Sequence, residues 1–116
     1  MKSGLAIMVV MVMILAAPVW ASEEQVVLRQ SANGIRTLRP FDVQSQWEIR
    51  WQSEDALAVT AYRADAKESD PLSKLPIATG SQTKGGHGAT YIPQGGKFYL
   101  QIISMGDWTI TVVQLP

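Results

Sequence analysis

The sequence predicts an all-β domain, a small antiparallel β-sandwich with a jelly-roll or CUB-like, or an immunoglobulin-like, topology, preceded by a cleavable signal peptide. Residues 41–52 alternate between apolar and polar side chains, as a strand with one buried face does. Further short alternating segments are separated by turn signals, which is typical of sandwiches and small barrels. No segment after the N-terminal apolar run has a convincing helical period.

The alternating segment predicts one long strand. Its odd-numbered residues form the expected buried face: Phe41, Val43, Ser45, Trp47, Ile49 and Trp51. Its even-numbered residues form the expected exposed face: Asp42, Gln44, Gln46, Glu48, Arg50 and Gln52. A helix would scatter the two tryptophans around its circumference, so the pattern favours a strand.

The first 21 residues have the organisation of a secretory signal peptide. Lys2 precedes an apolar run over 5–17, and Val19 and Ala21 occupy the positions next to a cleavage site. The run is shorter than the ~20 residues that a membrane-spanning helix needs. We therefore predict cleavage after Ala21, export to the periplasm or out of the cell, and no membrane span in the mature chain.

Composition limits the remaining possibilities. A chain of 116 residues is enough for one domain, in which we expect residues 22–40 to form an N-terminal strand or hairpin and residues 41–116 the rest of the sandwich. Lys+Arg and Asp+Glu are both 10, so no basic field attracts nucleic acid. Cysteine is absent, which excludes disulfides, a thiol nucleophile and a cysteine zinc site. We expect no metal and no cofactor.

The remaining elements follow from short apolar runs and turn signals. Further strands are predicted over residues 26–28, 35–38, 57–63, 77–79, 90–92, 97–104 and 108–115. Asn33-Gly34 is a strong turn signal, which predicts that the first two of these pair with each other. Pro40 then leads into the long strand, because proline is confined to strand starts and edges.

The connections predict which strands are neighbours. The short turn 53–55 predicts antiparallel pairing of residues 47–52 with residues 57–63, and the turn 105–107 predicts a hairpin of the last two strands. Residues 64–76 are expected to form a surface loop with at most one helical turn, and residues 80–89 a flexible connection or an edge hairpin. The predicted core is Phe41, Trp47, Ile49, Trp51, Leu57, Val59, Phe98, Leu100, Ile102, Trp108, Ile110 and Val112.

Four segments together resemble a known pattern: Thr37–Val43, Trp47–Trp51, Gly95–Ile102 and Gly106–Val112. They are similar to small exported bacterial β-sandwich domains that run T-x-P-F-x-V, W-x-I-x-W, G-x-F-Y-L-x-I and W-T-I-x-V. The resemblance covers nearly the whole mature chain and implies the fold. It implies no catalytic residue, because no activity is assigned to these domains.

Two groups of titratable residues are candidates for chemistry. His87 is the only histidine, so a metal site there would need carboxylates, and four nearby glycines do not suit a rigid general base. Asp65, Glu68 and Asp70 form a loop cluster that suggests calcium, but Lys67 lies among them and the EF-hand spacing is missing. We expect a solvated loop histidine and a solvated acidic loop, with a hydrolase using His87 and a calcium loop as the alternatives.

The tyrosines are the residues whose predicted placement suggests a function. Tyr62 and Tyr99 are predicted on outward strand faces and Tyr91 beside a turn, where aromatic rings can stack on sugars or anchor a partner. We therefore predict an exported, non-catalytic binding domain that recognises an unknown protein or envelope component. The alternative is a carbohydrate- or cell-surface-binding module that uses these three tyrosines.

Overall fold

The computed structural model describes residues 24–116, so the predicted signal peptide over 1–21 lies outside the described residues. Nine strands make up this part of the chain. They are β1 Gln25–Asn33, β2 Arg36–Thr37, β3 Phe41–Val43, β4 Trp47–Ser53, β5 Leu57–Arg63, β6 Ala78–Gln82, β7 Gly86–Ile92, β8 Gly96–Ser104 and β9 Asp107–Gln114. A 3₁₀ turn, Pro71–Lys74, lies in the predicted loop between β5 and β6 and is the helical turn expected there.

The strands form two antiparallel sheets, which confirms the predicted β-sandwich. Sheet A has the order β1-β9-β4-β7. Sheet B has the order β2-β8-β5-β6, and β3 also pairs with β8. Among residues 24–116 no helix has the length and hydropathy needed to cross a bilayer.

The apolar faces of the two sheets pack together into one core. All twelve residues predicted for the core are buried, and Leu28, Leu38, Val43, Ala61 and Ile92 join them. The ring of Trp47 lies 5.2 Å from that of Phe41 and 5.1 Å from that of Phe98, measured between centroids. Each large side chain in such a core stabilises the fold by roughly 1.5–3 kcal/mol.

The predicted long strand over 41–52 is two strands in different sheets. Residues 41–43 pair with β8 in sheet B, whereas residues 47–53 pair with β9 and β7 in sheet A. The alternation of buried and exposed residues holds on both sides of the break, and Ser45 within the break is exposed. The prediction of one strand was wrong because both sheets turn their apolar faces to the same core, so the period continues through the crossing.

Two predicted hairpins are crossings between sheets. β5 pairs with β6 and β8, not with β4, and β9 pairs with β1 and β4, not with β8. The Glu54 amide donates to the carbonyl oxygen of Asp107, the first residue of β9, at 2.9 Å, one step beyond the last register pair of β4 with β9. The buried Ser104 hydroxyl, at the end of β8, donates to the Ala56 carbonyl at 2.8 Å. Both bonds join the first crossing to the strands that border the second, so the two crossings lie close together.

The N-terminal hairpin predicted within 22–40 is also absent from the described residues. β1 pairs with β9 in sheet A, and β2 pairs with β8 in sheet B. Gly34 has a φ of 73°, so the chain does turn at Asn33-Gly34, but the turn leads from one sheet to the other. Strand β1 is also longer than the predicted segment 26–28.

The glycine-rich connection over 80–89 is neither a loop nor a paired hairpin. β6 is an edge of sheet B and β7 an edge of sheet A, and Trp51 lies between them. Its indole Nε1 donates to Gln82 Oε1 at 2.9 Å. A Cβ at Gly88 would lie 2.6 Å from Trp51 Cζ2, and one at Gly80 would lie 2.5 Å from Trp51 Cη2. These two glycines leave the space in which the ring packs.

Candidate functional site

Two of the three predicted tyrosines form a pair on the outer face of sheet B. Tyr62 of β5 and Tyr99 of β8 are directly opposite each other in register. Their rings are stacked, with centroids 5.3 Å apart and planes inclined by 19°. Both side chains are partly exposed, and the next outward pair along the two strands is Thr60 and Gln101. An aromatic pair therefore lies beside amide and hydroxyl groups.

The same face continues from the tyrosines to exposed aliphatic side chains. Ile103 of β8 is 50% exposed, and Met105, in the turn that follows, is 85% exposed. Ile35 is 67% exposed and precedes β2, whose Arg36 pairs with Ile102, so it lies at the end of β2 nearest to Ile103. We call the surface formed by Tyr62, Tyr99, Ile103, Ile35 and Met105 the sheet B surface.

Tyr91 does not belong to this surface. It lies on β7 in sheet A, where it pairs in register with Glu48. Its hydroxyl donates to Gln46 Oε1 at 2.6 Å, and its side chain is exposed. The structure thus brings Tyr62 and Tyr99 together and places Tyr91 on the opposite sheet.

The outer face of sheet A carries two adjoining hollows bordered largely by polar residues. One, of about 440 Å³, is bordered by the long side chains of Arg29, Arg50, Gln52 and His87. We call it the sheet A hollow. The other, of about 600 Å³, extends towards Glu54, in the crossing after β4, and Asp107, the first residue of β9. The two meet at Gln52 and Thr109, which are paired in register.

Arg50 is the centre of an ion-pair network on this face. Its Nη1 and Nη2 donate to the two carboxylate oxygens of Glu24, at 3.3 and 2.8 Å, and its Nε donates to Glu48 Oε1 at 2.6 Å. The hydrogen bond and charge of Arg50 lower the pKa of Glu24 below its ordinary value. The two carboxylates raise the pKa of Arg50, Glu24 having the larger effect. The guanidinium therefore stays charged at any physiological pH.

Sequence reasoning missed the arginines of this face. The alternation in β4 did predict that Arg50 is exposed. Arg29 comes to lie near it because β1 and β4 are both neighbours of β9, where Thr111 pairs with Arg29 on one side and Arg50 on the other. That strand order could not be obtained from the sequence, since every predicted pairing of β4 and β9 was different.

His87 is exposed, as predicted, but it lies on strand β7 instead of in a loop. It pairs in register with Gln52 and borders the sheet A hollow. Within residues 24–116 no group of three or more histidine, aspartate and glutamate side chains is arranged to hold a metal ion.

Two of the three carboxylates in the acidic loop make structural contacts. Asp70 caps the 3₁₀ turn by accepting a hydrogen bond from the Leu72 amide at 3.1 Å. Glu68 forms an ion pair with Lys74 at 2.9 Å. Asp65 is exposed. The three side chains thus make separate local contacts in the described loop.

Comparison with known proteins supports the fold. The pre-peptidase C-terminal domain of a collagenase from Bacillus anthracis is similar, with a TM-score of 0.54 at 19% identity over 75% of this chain and 89% of that chain. The C-terminal domain of A223, a structural protein of the Sulfolobus turreted icosahedral virus, has a TM-score of 0.46 at 9% identity, over 81% of this chain and 100% of that chain. The periplasmic g-type lysozyme inhibitor PliG from Aeromonas hydrophila has a TM-score of 0.43 at 16% identity, over 79% and 87% of the two chains. No protein-family model and no curated protein matches the sequence. The collagenase domain thus shows that this chain has the architecture of a known small all-β domain.

Proposed function

We propose that this protein is an exported, non-catalytic binding domain and that the sheet B surface binds its partner, a protein of the cell envelope or of the surroundings. One observation carries the proposal. The stacked, partly exposed Tyr62 and Tyr99 lie on the outer face of sheet B, and this face continues to the exposed Ile103 and to Met105 in the turn that follows. On sheet A the exposed Tyr91 stands apart from any second aromatic ring of residues 24–116, and long polar side chains border the hollow.

The chemistry of this surface suits a protein partner. Aromatic side chains and methionine are enriched at protein interfaces, and a few large residues supply most of the binding energy. The stacked tyrosines already restrict each other, so less side-chain entropy is lost when a partner packs on them. Gln101 and Thr60, next to the rings, offer hydrogen bonds of the kind found between the apolar contacts of an interface.

Site-specific cross-linking in the producing cell tests which face binds. A photoreactive residue in place of Gln101 lies on sheet B, and one in place of Tyr91 lies on sheet A, outside the residues that line its hollow. We expect a discrete cross-linked species from position 101 and none from position 91. A species from position 91 alone would overturn the assignment of the surface.

Binding of the cross-linked partner is then measured with purified variants. Tyr62→Ala, Tyr99→Ala and Ile103→Asp should each weaken it about tenfold or more, since a hot-spot residue contributes ~2 kcal/mol. Tyr91→Ala is the matched control, because it removes an exposed tyrosine from the other sheet. Equal effects of Tyr62→Ala and Tyr91→Ala would contradict the proposal.

A carbohydrate ligand is the second candidate, and the stacked pair of Tyr62 and Tyr99 is what favours it. The apolar face of a sugar ring packs on aromatic rings, while amide and hydroxyl groups beside the rings bind its hydroxyls. Because Tyr91 lies on the other sheet, such a site would use two of the three tyrosines. Depletion of the protein from solution by insoluble peptidoglycan, chitin or cellulose, abolished in Tyr99→Ala and retained in Tyr91→Ala, would favour this candidate over a protein partner.

A hydrolase that uses His87 is the remaining alternative. The neighbour of His87 on β4 is Gln52, an uncharged amide that lacks the negative charge with which a carboxylate stabilises an imidazolium. If the protein hydrolysed any bond with this histidine, His87→Ala would lower the rate by about 10²–10⁴-fold. We expect binding through the sheet B surface to be unchanged in His87→Ala.

A further inference from the structure

The sheet A hollow has the shape of a small ligand site. The outward side chains between its long borders are short: Ala89 on β7, and Thr109 and Thr111 on β9. The hollow also reaches Gly88 and the Trp51 ring that packs against it. Arg29, Gln52 and His87 rise around the short side chains because they are longer. The hollow therefore results from the order of long and short residues on one sheet face.

A carboxylate is already bound beside this hollow. Glu24 presents both oxygens to Arg50 Nη1 and Nη2, the two-point geometry in which a guanidinium binds a planar carboxylate. Glu24 precedes β1 instead of belonging to it, and its side chain is 51% exposed. Little structure would have to change for another carboxylate to take its place.

Arg29 supplies a second positive charge, which forms no ion pair with another residue of the described range 24–116. The ion pairs formed within residues 24–116 involve Arg50 and Lys74 but not Arg29. Arg29 and Arg50 flank Thr111 in one cross-strand row, so their backbones are two strand spacings, or ~10 Å, apart. Two long guanidinium side chains reach over that distance towards one bound anion.

We propose that the sheet A hollow binds an acidic saccharide, with the carboxylate of the sugar between Arg29 and Arg50, and that Glu24 is an intramolecular competitor for Arg50. The sugar hydroxyls hydrogen-bond with Gln52, Thr109 and Thr111, which border the hollow. His87 pairs in register with Gln52 and borders the hollow on its β7 side. This site lies on the face opposite the sheet B surface and is independent of the function proposed for that surface.

A saccharide fits this place better than a peptide. An extended peptide binds to a sheet by pairing with the backbone of an edge strand. The hollow lies across the outer face of all four strands of the sheet and not beyond the free edge of β1 or β7, so a ligand in it meets mainly side chains. Amide, hydroxyl and guanidinium groups close together match a ligand that carries many hydroxyls and a carboxylate.

Calorimetric titration at pH 7 and low ionic strength tests the proposal. The probes are tetragalacturonate, neutral maltotetraose and tetraglutamate. We expect tetragalacturonate to bind and the other two not to bind, and we expect the affinity to fall as salt is added. Equal binding of maltotetraose would show that the carboxylates play no part, and equal binding of tetraglutamate would show that the saccharide does not. Either result would overturn the proposal.

Substitutions in the sheet A hollow test whether the ligand binds there. Arg29→Ala and Arg50→Ala should each weaken tetragalacturonate binding about tenfold, because each removes hydrogen bonds to a charged group. Glu24→Gln should strengthen it about threefold, since it frees Arg50 from its competitor. Arg39→Ala, an exposed arginine between β2 and β3, is the control and should leave the affinity unchanged. An effect of Arg39→Ala as large as that of Arg29→Ala, weaker binding by Glu24→Gln, or no binding by either the wild type or Glu24→Gln would overturn the proposal.

Discussion

The inner and outer faces of the two sheets differ in a way that separates folding from function. The inner faces are alike: β4 contributes Trp47, Ile49 and Trp51, and β8 contributes Phe98, Leu100 and Ile102. The outer faces differ in how their side chains are grouped: sheet B carries a stacked tyrosine pair that leads to the exposed Ile103, whereas sheet A carries Arg29 and Arg50 around a hollow, with Tyr91 exposed as a single ring. Core packing constrains only the residues of the inner faces. The residues of the outer faces can therefore differ between the sheets, and the two proposed sites depend on that difference.

Truncation on an inner face should have the largest effect on stability. Trp47 has 0% exposure and packs against Phe41 and Phe98, so we expect Trp47→Ala to cost about 3–5 kcal/mol. A domain of this size is stable by only ~5–15 kcal/mol. Urea titration measures the change.

An outer-face tyrosine provides the contrast for that measurement. Tyr91→Ala removes a large ring from the outer face of sheet A, where the ring is 52% exposed. Its unfolding midpoint should stay close to that of the wild type. Similar midpoints for Trp47→Ala and Tyr91→Ala would remove the distinction between inner and outer faces.

The next largest effect on stability is expected at Gly88, on the edge strand β7 beside Trp51. Gly88→Ala would bring a Cβ to 2.6 Å from Trp51 Cζ2, and the buried ring has little room to move. We expect a loss of about 1–3 kcal/mol, the usual cost of overpacking. Ala89→Ser, at an exposed position on the same strand, is the control. In a Trp51→Phe background the cost of Gly88→Ala should decrease, and an unchanged cost would contradict the proposed clash.

A smaller effect is expected for the tyrosine pair on sheet B. In a double-mutant cycle, Tyr62→Ala and Tyr99→Ala should be coupled by about 0.5–1.5 kcal/mol, the value of an aromatic pair beyond its buried area. Tyr62→Ala and Tyr91→Ala should be additive, because the two rings lie on opposite sheets. Urea titration of the single and double variants gives both coupling energies, and coupling of Tyr62 with Tyr91 would contradict the structure.

The alternation of residues along the chain predicted the core but not the pairing of strands. Phe41, Trp47 and Trp51 were placed correctly because burial depends only on which side of a strand a residue occupies. The break between β3 and β4 left the alternation intact, since either sheet supplies an inner face. A two-residue period of apolar side chains therefore predicts that a strand faces a core, but it does not predict which sheet the strand joins.

Short connections misled the prediction for a related reason. The residues between β4 and β5, and between β8 and β9, are as few as those of a hairpin, yet they cross between sheets. At the first crossing the chain leaves one sheet and enters the other within three residues, since Ser53 still pairs with Trp108 of β9 and Leu57 already pairs with Ser104 of β8. These pairings join residues far apart in the sequence, so no local pattern predicts them. The proximity of Arg29 to Arg50 and of Tyr62 to Tyr99 depends on the same strand order.

The smallest predicted effect is a pH dependence on the outer face of sheet A. Because the pKa of Glu24 is lowered in the folded protein, its ion pair with Arg50 stabilises the fold at pH 7 and loses that effect as the pH falls through the carboxyl range to the lowered pKa. The unfolding midpoint of the wild type should therefore exceed that of Glu24→Gln at pH 7, and the difference should vanish in acid. Since the pair is exposed, about 1 M NaCl, with a screening length of ~3 Å, should reduce the difference at pH 7 as well. A difference that stays constant from pH 7 into acid would mean that the carboxylate of Glu24 is not held by Arg50, and the ion-pair network that distinguishes sheet A from sheet B would then lose its two-point contact.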